Sequence, residues 1–156
     1  MRLTDYTDYC LRTLMYLAAH RGKLVTIQEI ADAYGISKSH LMKVAHQLGQ
    51  AGLVETVRGR GGGLRLGRAP EDINVGAVVR GTEPDFAMVE CFGRRDGDCA
   101  LSADCGLKDV LRRATDAYLD VLAGVTLADL MHPGASLKGL GTIQLVRRKK
   151  VTAENV

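Results

Sequence analysis

The stretch from Thr26 to Gly67 leaves this chain few folds to choose from. Thr26-Ile-Gln-Glu29 is a T-x-x-E capping box, which opens a helix running through Tyr34. Gly35 permits a tight turn, and Ser37 is placed to cap a second helix that runs to about Gln50 and ends at Gly52. Ile27, Ile30 and Ala31 on the first helix, and Leu41, Val44, Ala45 and Leu48 on the second, mark faces that pack together. Two short helices joined by a glycine-centred turn predict a helix-turn-helix, although any αα-hairpin shares that outline. Residues 53–67 separate the two readings. L-V-E-T-V and L-R-L-G are strand-like runs on either side of R-G-R-G-G-G, a hairpin with a basic, glycine-rich tip. Directly after a helix-turn-helix, such a hairpin is a wing. A phosphate-binding loop would need Lys-Ser or Lys-Thr after the glycines and a helix starting there, and neither is present.

The winged reading assigns roles. The second helix would bring Ser37, Lys38, Ser39, His40 and Lys43 to the major groove of double-stranded operator DNA. Arg58 and Arg60 would reach the backbone or the minor groove, with Gly61 and Gly62 letting the wing approach closely. Charge agrees with this polarity. Net charge is only +3, but residues 1–68 carry ten basic against five acidic side chains, and residues 69–130 carry six against twelve. A basic first part beside an acidic second part suggests an anion-binding surface at one end.

Around this core, residues 8–20 read as a helix, capped by Thr7 or Asp8 and stopped at Arg21-Gly22-Lys23. A short helix follows Asn74 and is broken by Glu83-Pro84-Asp85, with Phe86, Met88 and Val89 as an apolar anchor. The longest helix, about 107–122, carries Leu107, Val110, Leu111, Ala114, Tyr118, Val121 and Leu122 as an apolar stripe. Winged-helix regulators bind two-fold sites, so this stripe is expected to pair with a second copy in a homodimer. Thr126 caps a last turn. The expected organisation is mainly α with a small β-hairpin: residues 1–82 a winged helix-turn-helix domain, 83–131 a cysteine loop and dimerisation helix, 132–156 a flexible basic tail. No apolar run is long enough to span a bilayer and there is no N-terminal apolar run with a cleavage site, so a cytoplasmic protein without a membrane partner is expected. No paired carboxylates, nucleophile–base motif or cofactor fingerprint suggests an enzyme.

Three of the four cysteines, Cys91, Cys99 and Cys105, crowd into one loop with Asp96, Asp98 and Asp104. Such a loop is a poor place for incidental buried thiols. A zinc site would want a paired C-x2–4-C knuckle, whereas the spacing is C-x7-C-x5-C. A disulfide switch would leave one thiol over. An iron–sulfur cluster suits loosely spaced cysteines in a small-residue loop better, and three thiolates leave one iron for a weaker ligand. A cluster-free thiol or zinc regulator stays open on these residues.

The runs M-R-L-T-D-Y-T-D-Y, I-S-K-S-H-L-M-K-V, V-E-T-V-R-G-R-G-G-G-L-R-L-G, P-E-D-I-N-V-G, V-E-C-F and C-G-L-K-D-V-L resemble the nitric-oxide-sensing branch of the Rrf family of winged-helix repressors. The likeness covers about residues 1–131. It implies a homodimeric transcriptional repressor with one 4Fe–4S cluster per subunit, held by Cys91, Cys99 and Cys105, that releases its operator when nitric oxide attacks the cluster. It also implies a fourth ligand from the partner subunit at the position of Asp8. Cys10, two residues on, reads as a core thiol on the first helix or as an alternative ligand. An iron-responsive branch of the family shares the cysteine pattern.

Overall fold

Helix α1, Asp5–Ala19, begins earlier than residues 8–20 suggest. Its N-cap is Thr4, whose hydroxyl accepts the Thr7 N–H at 3.2 Å. Thr4-Asp-Tyr-Thr-Asp8 offers several residues able to cap, and local sequence cannot rank them. Thr7 and Asp8 are therefore not caps: Thr7 is fully buried, and Asp8 lies inside the first turn. The structure, a computed structural model, describes residues 2–92 and 105–131. The expected tail and Cys99, with Asp96, Asp98 and Asp104, lie outside those residues.

Helix α2, Ile27–Tyr34, opens on the complete capping box: Thr26 Oγ1 accepts the Glu29 N–H at 3.2 Å, and the Glu29 carboxylate accepts the Thr26 N–H at 2.7 Å. Gly35 takes the left-handed conformation (φ 67°) that a side chain would resist, and turns the chain into α3, Lys38–Gln50. Ser37 Oγ accepts the His40 N–H to start that helix. Strands β1 (Val54–Val57) and β2 (Gly63–Leu66) pair antiparallel with Val54 opposite Leu66 and Val57 opposite Gly63. A third segment joins them, because Val25 exchanges both backbone hydrogen bonds with Leu64, at 3.0 and 2.7 Å. Gly63 makes that approach possible: a Cβ there would lie 2.8 Å from the Val25 carbonyl oxygen.

A single 3-10 turn at Pro70–Asp72 leads into α4, Val75–Thr82, capped by Asn74. Helix α5, Gly106–Ala123, and α6, Leu127–Met131, are the last elements of the described residues. Helix α1 sits at the centre and packs on α3, α4, α6 and β2. Leu14, Ile30, Leu41, Val44, Leu48, Ile73 and Leu127 close one core around it. Helix α5 packs on α4 and has two characters. Thr115 and Leu119 are buried, whereas Leu107, Val110 and Val121 are 64, 58 and 49 % exposed. The stripe read from the sequence is thus split. Its spacing is right for a helix, but much of it stays exposed among the described residues.

Candidate nucleic-acid interface and cysteine loop

Helix α3 presents two opposed faces. Leu41, Val44, Ala45 and Leu48 are buried, while Lys38, Ser39, Met42, Lys43 and His46 are exposed. Helical spacing places Ser39, Met42, Lys43 and His46 side by side on the outer surface. No acidic residue occurs on α3, so the face is uniformly neutral or basic. Ser37, Lys38, Ser39 and Lys43 are exposed, and so is His40, which lines a shallow depression with Lys43. His40 lies on the flank toward α1, its ring tilted 6.0 Å from the ring of Tyr9. Met42 and His46 share the outer face and escaped the sequence reading, although the i, i+3, i+4, i+7 pattern from Ser39 contains both.

The wing tip carries Arg58 and Arg60, both exposed, on a backbone that only glycine tolerates. Gly59 and Gly61 hold φ of 103° and 78°. Gly62 is packed so closely that a Cβ would overlap the Val57 carbonyl. The tip geometry is therefore set by the glycines. An exposed ion pair, Arg65 to Glu55 at 2.7 Å, crosses the strands behind it. Arg68 donates to the Ala51 carbonyl at 3.2 Å and links the far end of β2 to the end of α3.

The linker after α4 meets α5 and the start of α1. Glu83 closes α4 and reaches back to α1: one carboxylate oxygen accepts the Thr4 N–H at 2.8 Å and the Thr4 hydroxyl at 3.0 Å. Burial pushes the Glu83 carboxyl up, but hydrogen bonds from Thr7 and Thr4 pull it further down, and the net shift is downward. Met88 accepts a hydrogen bond from Thr115 of α5 at 3.0 Å, so the expected apolar anchor is fastened to that helix.

Cys91 lies in a 3-10 turn, Glu90–Phe92, and is half-buried. It lines a depression of about 300 Å³ beside Lys108 and Arg112 of α5. Cys105 is the N-cap of α5, half-buried, and its side chain makes no capping hydrogen bond. Asp85 and Asp116 line the same depression, so its charge is mixed; what suits a metal–thiolate group is the pair of free, partly accessible thiols, one of them at a helix N-terminus. The donors placed here therefore fit the cluster that the family likeness implies, with Cys99 outside the described residues. Among the described residues, no three His, Cys, Asp or Glu side chains converge on one point.

Asp8 and Cys10 differ sharply in access. Cys10 is fully buried in the core, beside the Tyr6 phenol, and burial raises its thiol to about 11. Asp8 has a side chain 41 % exposed and is gripped by Arg12, which donates to both carboxylate oxygens at 2.9 and 2.8 Å. The same guanidinium lies 5.8 Å from the centre of the Tyr34 ring, at the end of α2.

A helix-turn-helix with a hydrogen-bonded wing and a basic outer face defines the winged-helix class of transcriptional regulators. Within that class the chain belongs to the Rrf2 family, whose model, described as an iron-dependent transcriptional regulator, matches residues 3–133. It is 60% identical over 132 residues to the HTH-type transcriptional regulator NsrR of Bacillus subtilis, covering 84% of this chain and 90% of the relative. It is similar in structure to IscR of T. potens, at TM-score 0.65 and 29% identity over 84% of this chain and 86% of that one. CymR of B. subtilis, titled the global cysteine regulator, aligns at TM-score 0.69 and 28% identity over 84% and 96%. The chain is a transcriptional regulator and not an enzyme. None of its described helices is long and apolar enough to cross a membrane.

Proposed function

We propose that this chain is a cytoplasmic, homodimeric repressor that binds operator DNA through α3 and the wing and releases it in response to nitric oxide. The observation that carries the reading is the likeness to NsrR regulators at 58 and 60% identity, which runs through both the wing and the cysteine loop. Cys91, Cys99 and Cys105 would hold a 4Fe–4S cluster in each subunit, and Asp8 of the partner subunit would supply the fourth ligand. When bound, the cluster supplies an iron with one weakly held position, open to a small molecule.

The rest of the mechanism belongs to the protein. Cys91 ends the linker from α4, and Cys105 begins α5. Cys91 and Cys105 would hold the group from both ends of the loop, and so would tie the linker to the start of α5. Glu83 and Thr4 tie that linker to the start of α1, and α1 packs directly on α3. Without the cysteine tie the path from linker to α1 to α3 would be held only by the Glu83–Thr4 hydrogen bonds, and the two recognition helices of a dimer would no longer be held to the spacing of about 34 Å that half-sites one turn apart require. Losing a few base contacts, at about 1–3 kcal/mol each, is enough to abolish specific binding. Access favours Asp8 over Cys10 as the additional ligand: Asp8 has only to share its carboxylate with Arg12, whereas Cys10 would have to leave the core.

Titrating the anaerobically purified protein with nitric oxide while following operator binding tests the proposal. Brown protein with equal iron and sulfide, losing operator affinity as nitric oxide is added, is expected. Colourless, zinc-containing protein that binds the operator regardless of nitric oxide overturns it. Cys99→Ala should yield cluster-free protein with weak operator binding, and Asp8→Ala a bound but more labile cluster. The description of the family model favours a second reading, iron response through the same loop. Chelation that releases the operator while nitric oxide does not would select it.

A further inference from the structure

Met42 is a large apolar side chain exposed where one is least expected. It is 52 % exposed on α3, beside Ser39, Lys43 and His46. The helix does not need it for packing, since Leu41 and Val44 on either side are 2 and 0 % exposed and form the buried face without it. Leu107, Val110 and Val121 are also exposed, but they share one helix, α5, with the stripe expected to meet a second copy. Met42 has no such neighbours. It is an isolated thioether among polar and basic groups, on a helix without a single acidic residue. That charge complements a phosphate backbone, so the occupant of this face is duplex DNA.

We propose that Met42 reads the C5-methyl group of a thymine in the major groove, which deepens the operator-binding reading and rests on it. Of the groups displayed in the major groove, only the thymine methyl is apolar, and apolar side chains are its readers. Lys38 and Lys43, as cations, attract phosphates and donate to guanine edges, but they offer no apolar surface to a methyl group. Met42 supplies what they lack, in the second turn of α3, within the part of a recognition helix that enters the groove. Its unbranched thioether bends at three torsions and follows the methyl without strain. Covering one methyl group corresponds to roughly a threefold to fivefold gain in affinity.

The test begins with duplexes enriched from a random library by the full-length, anaerobically purified protein. Each thymine of the best duplex is then replaced by deoxyuridine, which removes only the methyl. At one thymine per half-site, the wild type should lose roughly threefold to fivefold in affinity. Met42→Ala should bind the parent duplex more weakly by a similar factor and be indifferent to uridine at that position. Met42→Leu should keep part of the preference and Met42→Gln none. All three variants should melt with the wild type, because the side chain is exposed. A uridine penalty that is the same at every position in wild type and Met42→Ala overturns the proposal while leaving operator binding standing. A wild type that enriches no sequence at all overturns the winged-helix reading and this proposal with it.

Discussion

Single residues here owe their roles to surroundings that lie far away in sequence. Cys10 is two positions from Asp8, but it is sealed in the core with its thiol raised to about 11 by burial, so it stays protonated and unreactive at neutral pH. In native, cluster-free protein, Cys91 and Cys105 should react with a thiol reagent within minutes, whereas Cys10 should react only after denaturant is added. Fast labelling of Cys10, read by peptide mass mapping, would contradict its burial. Glu83 makes a pH prediction. Its carboxyl is shifted downward in the folded chain, so the stability it contributes is fully present above the ordinary carboxylate value of about 4.3 and is lost as pH falls through the lower folded value. Glu83→Gln should therefore be less stable than wild type at pH 7, and the gap should narrow at pH 3. Urea unfolding at both pH values checks the sign: a gap that widens in acid would exclude the Thr4–Glu83 clamp.

At the scale of elements, close backbone approach replaces side-chain packing at two joints. One is the wing, where Gly63 admits Val25 and the sheet gains a third segment. The other joins α4 to the end of α5. Asn74 donates to the Ala123 carbonyl at 2.6 Å, and Gly76 presses on the same backbone. A Cβ on Gly76 would lie 2.6 Å from the Ala123 nitrogen, and a backbone atom cannot yield as a flexible side chain does. Gly76→Ala should cost about 1–3 kcal/mol in chemical unfolding. An unchanged midpoint would mean that α5 docks less tightly on α4. Gly76 gave no signal in the sequence, since a glycine within a short helix reads only as a weak position. The caps did, because each is written within a few residues: the box of Thr26 with Glu29, and Thr126, to which the structure adds the Asp129 carboxylate accepting the Thr126 N–H at 2.8 Å.

At the scale of the whole molecule, the exposed stripe of α5 asks for a partner. Two substitutions that place charge there, Val110→Asp with Leu107→Asp, should leave the subunit folded, since both side chains are mostly exposed. Sedimentation should then show monomers, with operator affinity reduced because the two half-sites are no longer bound together. A variant that remains dimeric would move the interface elsewhere. The amino-acid sequence by itself determined the helix-turn-helix, the wing and the helical period of α5, because capping, glycine turns and apolar spacing act between residues a few positions apart. It also carried the family, through motifs in a fixed order. Tertiary structure alone decided that Thr4 and not Asp8 caps α1, that His40 leans on Tyr9, that Cys10 is sealed in the core, and that Glu83 ties the linker to α1. Each of these depends on which segment arrives from a distant part of the chain, and a local pattern of residues holds no information about that arrival.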